Sequence, residues 1–487
     1  MKLALLLTLL ASIAQAENLN LDQFLDQVLN QHKAIKSYSQ SQQAAEYFRE
    51  ATDTVLSPQL SLQGGYIDDQ KPTVTMPYYM INRTQGWNYS ATLGKLFSTG
   101  TQASLSANLS QLSLSTTDRM QVPGSAIYSN QSLGVGSLGV SLAQSLWKDF
   151  FGRATHLRQD REWKTEILKQ QTFNLQIKQI VVEAENAFWD LLYLQEELQQ
   201  RIDTLQRSKK IEVWVKKRFS NGIGDKADVL NAEGLSAARS LQLLQTQDDI
   251  VAAKRKVVDL LELENVDQVP ILRGDIKNIR KLESLVPESS KASASSRKVR
   301  LDSYLAILEA KVKSIGASEA EESMKPDLQL AGSYATNSYD FNNGITGAYN
   351  NLTNTNLPTL NVGLKFVWLL DSDLRNANRE SARREALSST FKMQRQLLES
   401  DSAWQEMNRR HQELTREVQA AAFMADVQNK KASAEREKLE KGRSITSQVI
   451  TAEQDAAESV LTLTKLEVAQ RKLESQARLF LNLEESK

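Results

Sequence analysis

The chain has 487 residues with 59 basic and 59 acidic side chains, a balance that gives no reason to expect nucleic acid or another polyanion as partner. It contains no cysteine, which excludes disulfides, thiol-bound metal and a lipid attached to an N-terminal cysteine. The length would ordinarily mean about three globular domains. Proline argues otherwise, being absent between Pro123 and Pro270 and again after Pro358, in stretches that hold few glycines. Such sparse punctuation permits very long helices.

In chain order, Lys2, the apolar run Leu3 to Ile13 and Ala14-x-Ala16 read as a secretory signal peptide over residues 1–16, with the mature chain starting at Glu17. Residues 17–56 read as a helix. Residues 57–147 are a different material, carrying nine of the chain's 20 glycines and only seven charges, and rich in Ser, Asn and Gln. That composition forms strands. No segment after the signal peptide reaches the ~18 consecutive apolar residues of a helical span, so membrane entry would require a β-barrel.

Trp87, Tyr89, Leu93 and Phe97 share one strand face, interrupted by Lys95, and a turn at Ser98-Thr-Gly100 leads into a second strand, Thr101 to Leu114. "SLGVGSLGVSL", Ser132 to Leu142, contains Gly134-x-Gly136-x-x-Gly139, the spacing of a dinucleotide-binding turn. That motif needs a helix to start on it. Here Leu138, Val140, Leu142 and Leu146 keep alternating with Gly139, Ser141, Ala143 and Ser145, so a strand runs through the motif.

Residues 148–264 read as a long helical hairpin, whose first helix, about Gly152 to Phe219, spans on the order of 100 Å. Leu191, Leu194, Leu198, Ile202 and Leu205 form a seam too narrow to be stable without partner helices. Gly222 supplies the positive φ at which the helix ends. Residues 265–300, with Pro270, Pro287 and "ESSKASASSRKVR", form a connector packed partly on the outside of the helices. A helix over 301–325 precedes a second strand region, 326–370, and a second hairpin, 371–487, whose long helix runs about Asp371 to Lys441 and ends at Gly442. In its last strand Leu360, Val362, Leu364, Phe366 and Trp368 share a face, while Asn361, Gly363 and Lys365 share the other. In a membrane barrel the first face meets lipid and Lys365 points into the lumen. Tyr66, Trp147, Tyr334 and Trp368 are expected at strand ends, where interfacial aromatics belong.

The chain is one unit written twice. Ser57-Pro-Gln-Leu-Ser-Leu-Gln-Gly-Gly-Tyr66 aligns with Lys325-Pro-Asp-Leu-Gln-Leu-Ala-Gly-Ser-Tyr334, and Arg218 through Glu233 aligns with Lys438 through Glu453. Chemistry-bearing residues are few. His32, His156 and His411 stand alone on helical stretches without metal spacing or a paired nucleophile, so no enzyme, cofactor or metal site is expected.

From about Glu17 to Leu483 the sequence resembles the TolC family of outer-membrane channel-tunnels. The resemblance is carried by Gly222 to Glu233, by Gly442 to Glu453, and by the strand-to-helix passages Leu142 to Arg153 and Phe366 to Arg375. It implies a mainly α protein with a membrane β-barrel, in which a homotrimer closes one barrel and continues it as a twelve-helix tunnel. The family norm of four strands per chain implies twelve in the trimer; the extra hairpin leaves eighteen as the alternative. It also implies an outer-membrane location in lipid, where the lack of cysteine leads to the expectation of no lipid anchor, extension into the periplasm, and docking to a periplasmic adaptor (membrane fusion) protein and an inner-membrane pump, ABC or proton-driven. Porin-like export of drugs, small molecules or proteins follows, by efflux or type I secretion. The rival is a periplasmic coiled-coil adaptor or structural protein of an export system, which would show one hairpin with β-domains at its base.

By the same resemblance the adaptor meets the hairpin tips, here Asn221, Gly222, Ile223 and Gly224, and Lys441, Gly442, Arg443 and Ser444. Two aspartates that narrow the entrance in well-known members are replaced by Gln448 and Thr451. The first hairpin retains Asp225 and Asp228, and Arg443 is expected to bridge to one of them as a weak latch at the periplasmic gate.

Overall fold

The computed structural model describes residues 19–76, 79–118, 131–286 and 297–483; the signal peptide at 1–16 lies outside them. The chain divides into a sheet unit, residues 45–168 and 307–391, and a helical unit holding the remainder.

The sheet unit contains β1 (Gln59–Asp69), β2 (Thr73–Met76), β3 (Tyr79–Leu96), β4 (Thr101–Asp118) and β5 (Gln131–Ser145) from the first half of the chain. Further strands, β7 (Asp327–Asp340) and β8 (Pro358–Val367), come from the second half. All neighbours are antiparallel, in the order β1-β3-β4-β5-β7-β8, with the short β2 added to β3. One rung runs Leu60, Leu93, Leu105, Val140, Tyr334, Leu360 across all six strands, and every one of these side chains is exposed. The adjacent rung, on the opposite face, is Gln59, Gly94, Ser104, Ser141, Ser333, Asn361, with the Ser104 and Ser141 hydroxyls 2.7 Å apart. Period-two alternation thus sorts the sheet into an exposed apolar face and a polar one.

The strand count departs from the family norm of four. The first half supplies four long strands instead of two, because β3 and β4 pair along their whole lengths and share the sheet's base with β1 and β5. They are staves of the sheet and not an extension beyond it. Six long strands per chain match the eighteen-strand alternative, not twelve in a trimer.

Between β7 and β8 the chain folds back as α7 (Gly344–Asn350) over the face that carries Leu138 and Val140. Thr336 Oγ1 donates to the Leu352 carbonyl and Ser338 Oγ to the Ala348 carbonyl, each at 2.6 Å, so two hydroxyls on the apolar face are covered and satisfied. Gly134 and Gly136 lie beneath. A Cβ on Gly134 would come within 1.9 Å of the Gly344 carbonyl oxygen.

In the helical unit, α1 (Leu21–Gln31) starts with a capping box in which the Asn20 side chain accepts from the Gln23 amide at 2.9 Å and Gln23 returns the bond at 3.1 Å. The helix expected over 17–56 is two helices, since His32 is extended and α2 (Lys33–Thr52) starts after it. Helix α3 (Arg153–Ser220) and its return α4 (Lys226–Leu261) form the first hairpin. Short α5 (Leu282–Leu285), β6 (Arg297–Arg300) and α6 (Leu301–Ser323) follow, and α8 (Ser372–Glu440) and α9 (Thr446–Gln476) form the second hairpin. The two long helices have 68 and 69 residues and begin and end within a residue of the sequence expectation.

The core gathers Phe24 and Val28 of α1, Phe188 and Leu191 of α3 and Val257 of α4, all fully buried, with the Phe24 and Phe188 rings 5.5 Å apart. In the described part of the connector Leu272 pairs with Leu19, and Gly274 lies against Phe188, Trp189 and Leu192. Strand β6 pairs with β9 (Phe480–Leu483) at the end of the second hairpin. Here buried Glu185 accepts from Arg478 at 2.8 Å, and buried Arg471 pairs with Glu474 at 2.7 Å. Burial pushes the Glu474 carboxyl up and the Arg471 guanidinium down from their ordinary values.

Hairpin tips and the two faces of the sheet

Each hairpin tip is the same backbone device. At Gly222, φ +73°, the glycine amide donates to the Phe219 carbonyl at 3.0 Å and the Ile223 amide to Arg218 at 3.0 Å. At Gly442, φ +70°, the glycine amide reaches Leu439 at 3.0 Å and the Arg443 amide reaches Lys438 at 2.8 Å. This pair of bonds satisfies the last helical carbonyls and requires a left-handed residue, which explains the glycine in both halves. The halves then differ. Asp225 caps α4, its Oδ1 accepting from the Ala227 amide at 3.0 Å, whereas Ile445 precedes α9 with no side-chain cap. Ile223 and Ile445 are both exposed.

Around Arg443 lie Lys431, Glu435, Lys438, Ser447, Gln448 and Thr451. Ser444 Oγ donates to Glu435 at 2.8 Å, and Thr451 Oγ1 to the Ser447 carbonyl at 3.0 Å. The expected ion pair of Arg443 with Asp225 or Asp228 is not made within the chain. The Arg443 guanidinium has no acidic partner among the described residues, and Asp225 is engaged as a cap. Each hairpin closes on its own short turn, and Arg443 shares the second tip with Lys431, Lys438 and Glu435.

Ion pairs do tie the helices together behind the tips, at residues to which sequence reasoning assigned no role. Lys216 pairs with Glu233 at 2.8 Å, and the repeat-equivalent Arg436 pairs with Glu453 at 2.7 Å. Glu453 also accepts from Arg207 of the first hairpin at 3.0 Å and is 4% exposed. Nearby, burial followed by the charges of Arg201 and Arg207 pushes the Arg239 guanidinium below its ordinary value, and its NH1 donates to Gln242 at 2.8 Å. The one signal in the sequence was a glutamate at matching places in both halves.

On the sheet, Lys365 is exposed on the polar face opposite Gln329. Lys95 is on the apolar face, its Nζ 5.1 Å from the Phe97 ring. Trp147 and Trp368 follow the last residues of β5 and β8, and Arg375 stacks 4.6 Å over Trp368. Tyr66 meets Trp87 edge-on at 5.2 Å. Tyr334 is not at a strand end, since it sits on the central rung with Val140 and Leu360 in the middle of β7. The repeat alignment with Tyr66 misplaced it because β7 continues to Asp340. Trp87 on β3 and Phe97, one residue past its end, are ten residues apart on one face. That is about 33 Å along a strand, and a tilt of ~40° reduces it to about 25 Å, the height of the apolar band of a membrane barrel.

This arrangement can be compared with solved structures. The outer membrane protein VceC from Vibrio cholerae matches with TM-score 0.65 at 13% identity, over 94% of each chain. The fold is that of outer-membrane channels. The Campylobacter jejuni CmeC outer membrane channel matches with TM-score 0.65 at 11% identity, over 96% of this chain and 87% of that one. The outer-membrane channel OprN matches with TM-score 0.65 at 14% identity, over 94% and 89%. No family model and no curated protein matches the chain. The long duplicated hairpins and single sheet implied by the TolC resemblance are therefore present as a fold. Among the described residues no helix is long and apolar enough to cross a membrane, and no three His, Asp or Glu side chains converge as metal ligands. His32 sits between α1 and α2, His156 on α3 and His411 on α8.

Proposed function

We propose that the protein is an outer-membrane export channel: a homotrimer whose sheets close one barrel in lipid and whose paired hairpins form a conduit through the periplasm. The observation that carries this reading is the sheet. Its apolar face is exposed at Leu60, Leu93, Leu105, Val140 and Leu360, and the opposite face is mostly hydroxyl, amide and glycine, with Lys365 the one charge between its rims among the described residues. Lipid on one side and water on the other is the environment that such alternation fits. A periplasmic adaptor has no use for it.

The tips Asn221 to Gly224 and Lys441 to Ser444 are the docking points for a periplasmic adaptor serving an inner-membrane pump, with Ile223 and Ile445 offering apolar contacts. Gln448 and Thr451 leave no acidic ring on the second hairpin, and Arg443 is free within the chain to meet Asp228 or Asp225 of a neighbouring protomer. Exposed pairs contribute about 0–1 kcal/mol each, enough for a gate that adaptor binding opens. Fractionation and planar-bilayer recording test the reading. A detergent-extracted trimer forming channels is expected, with higher leak conductance in Arg443→Ala. A soluble periplasmic monomer would refute the channel, and unchanged conductance would refute the latch.

A further inference from the structure

The two edges of the sheet, β1 and β8, fit each other. Each is exposed along its whole length, and the five antiparallel steps between them make β8 run opposite to β1. A β8 laid beside the β1 of a second copy is therefore antiparallel, which continues the alternation. Unpaired backbone at a sheet edge is not tolerated in lipid, so each edge must be covered.

We propose that β1 of one protomer pairs with β8 of the next in the register Leu60 opposite Phe366, closing a barrel of eighteen strands. The inference rests on the trimeric channel reading above and adds its register and size. Three properties of the chain select this register. First, it sets Gln59 against Val367 and Asp68 against Pro358, so the whole of β8 is paired and only the last residue of β1 is left over. A slip of two residues strands one more residue on each edge in one direction and two more in the other.

Second, it joins the apolar bands. Along the sheet the exposed apolar stretch descends, from Leu60, Leu62 and Tyr66 on β1 to Leu360, Val362, Leu364 and Phe366 on β8. In the proposed register Leu62 meets Leu364 and Tyr66 meets Leu360, so the band continues at one height around the barrel. The polar face continues as well, with Ser61 opposite Lys365 and Gln63 opposite Gly363.

Third, it produces an acceptable tilt. The rung from Leu60 arrives on β8 at Leu360, six residues from Phe366. Each protomer thus advances six residues along the strands while crossing six strands. At ~3.3 Å per residue and ~4.8 Å between strands the tilt is about 35°, inside the range at which barrels close. Pairing Leu60 with Leu360 instead would give no tilt, and such a barrel does not close.

The absence of native cysteine makes the register directly measurable. Purified protein carrying Ser61→Cys with Lys365→Cys is oxidised in detergent and run on denaturing gels with and without reductant. A covalent trimer that reductant dissolves is expected, and also for Leu62→Cys with Leu364→Cys on the lipid face. Ser61→Cys with Asn361→Cys should give none. Trimer from that pair, or from Ser61→Cys with Gly363→Cys in preference to Lys365→Cys, overturns the register while leaving the trimer standing. If no β1–β8 pair cross-links while Ser104→Cys with Ser141→Cys forms its disulfide within the chain, the trimeric barrel itself is overturned.

Discussion

The glycines of "SLGVGSLGVSL" differ in what surrounds them, and the differences set a graded prediction. At Gly134 an added Cβ would lie 1.9 Å from the Gly344 carbonyl oxygen, a backbone atom that moves only if α7 moves. Displacing α7 breaks the bonds of Thr336 to Leu352 and Ser338 to Ala348. Thr336 Oγ1 keeps the Leu138 carbonyl at 3.3 Å, so Ser338 is the hydroxyl left unsatisfied, at about 1–3 kcal/mol, and the packing lost with α7 adds to that, which makes Gly134→Ala the most destabilising of the series. At Gly136 the nearest atoms are Ser338 Oγ at 2.5 Å and Leu352 Cδ2 at 2.9 Å, side-chain atoms that can give way at the roughly 1–3 kcal/mol of ordinary overpacking. Gly139 meets nothing closer than 3.3 Å, on the polar face, so alanine there should cost less than about 1 kcal/mol. Gly94 has nothing within 4 Å, and alanine should stabilise by about 0.5–1 kcal/mol through the unfolded chain. Urea titration of the four variants in lipid vesicles, followed by tryptophan fluorescence, measures the order. If Gly134→Ala unfolds together with Gly94→Ala, the packing of α7 on β5 is not what these glycines serve.

Glu453 and Glu233 occupy equivalent positions but differ in burial, so Glu453→Ala should cost about 1.5–3 kcal/mol by removing the charged hydrogen bonds to the half-exposed Arg207 and Arg436. Glu233→Ala breaks an exposed pair with Lys216 worth about 0–1 kcal/mol, and equal melting temperatures for the two variants would contradict the clamp. Burial raises the Glu467 carboxyl above its ordinary value, so its ionised form is disfavoured in the folded protein. The penalty is absent below the unfolded value of about 4.3 and grows as pH rises through the higher folded value. Glu467→Gln should therefore raise the melting temperature at pH 7 and leave it unchanged near pH 4, and a shift of equal size at both would point to packing instead of charge.

What was legible in the sequence was what depends on near neighbours. Helix bounds at Arg153 and Ser372 follow from the loss of alternation after Trp147 and Trp368. The faces of β3, β5 and β8 follow from period-two patterning, and the tips from a glycine between two helical runs. What was not legible depends on residues distant in sequence. The Asn- and Gly-rich stretch after Asp340 gives no sign that it covers Gly134 on another strand. Tyr334 could be placed only once the rung through Val140 was known. The family norm of four strands also weighed against Thr101 to Leu114, although its alternation is as regular as that of its neighbours.

The ion pairs behind the tips show how a repeat can conceal a difference. Duplication copies Lys216 with Glu233 into Arg436 with Glu453, so each hairpin carries the same internal brace. The position equivalent to Arg207 is Val427, which cannot pair with Glu233. The second hairpin is therefore tied to the first through Glu453, while the first has no reciprocal tie through Glu233. A cross-link present on one side only lets two similar hairpins respond differently to the same load at their tips. Moving the second relative to the first requires separating Arg207 from Glu453, whose carboxylate is almost fully buried and would be left with Arg436 alone, a larger loss than that of an exposed pair. Any opening at the tips must then either bend the hairpins beyond this clamp or supply the energy to break it.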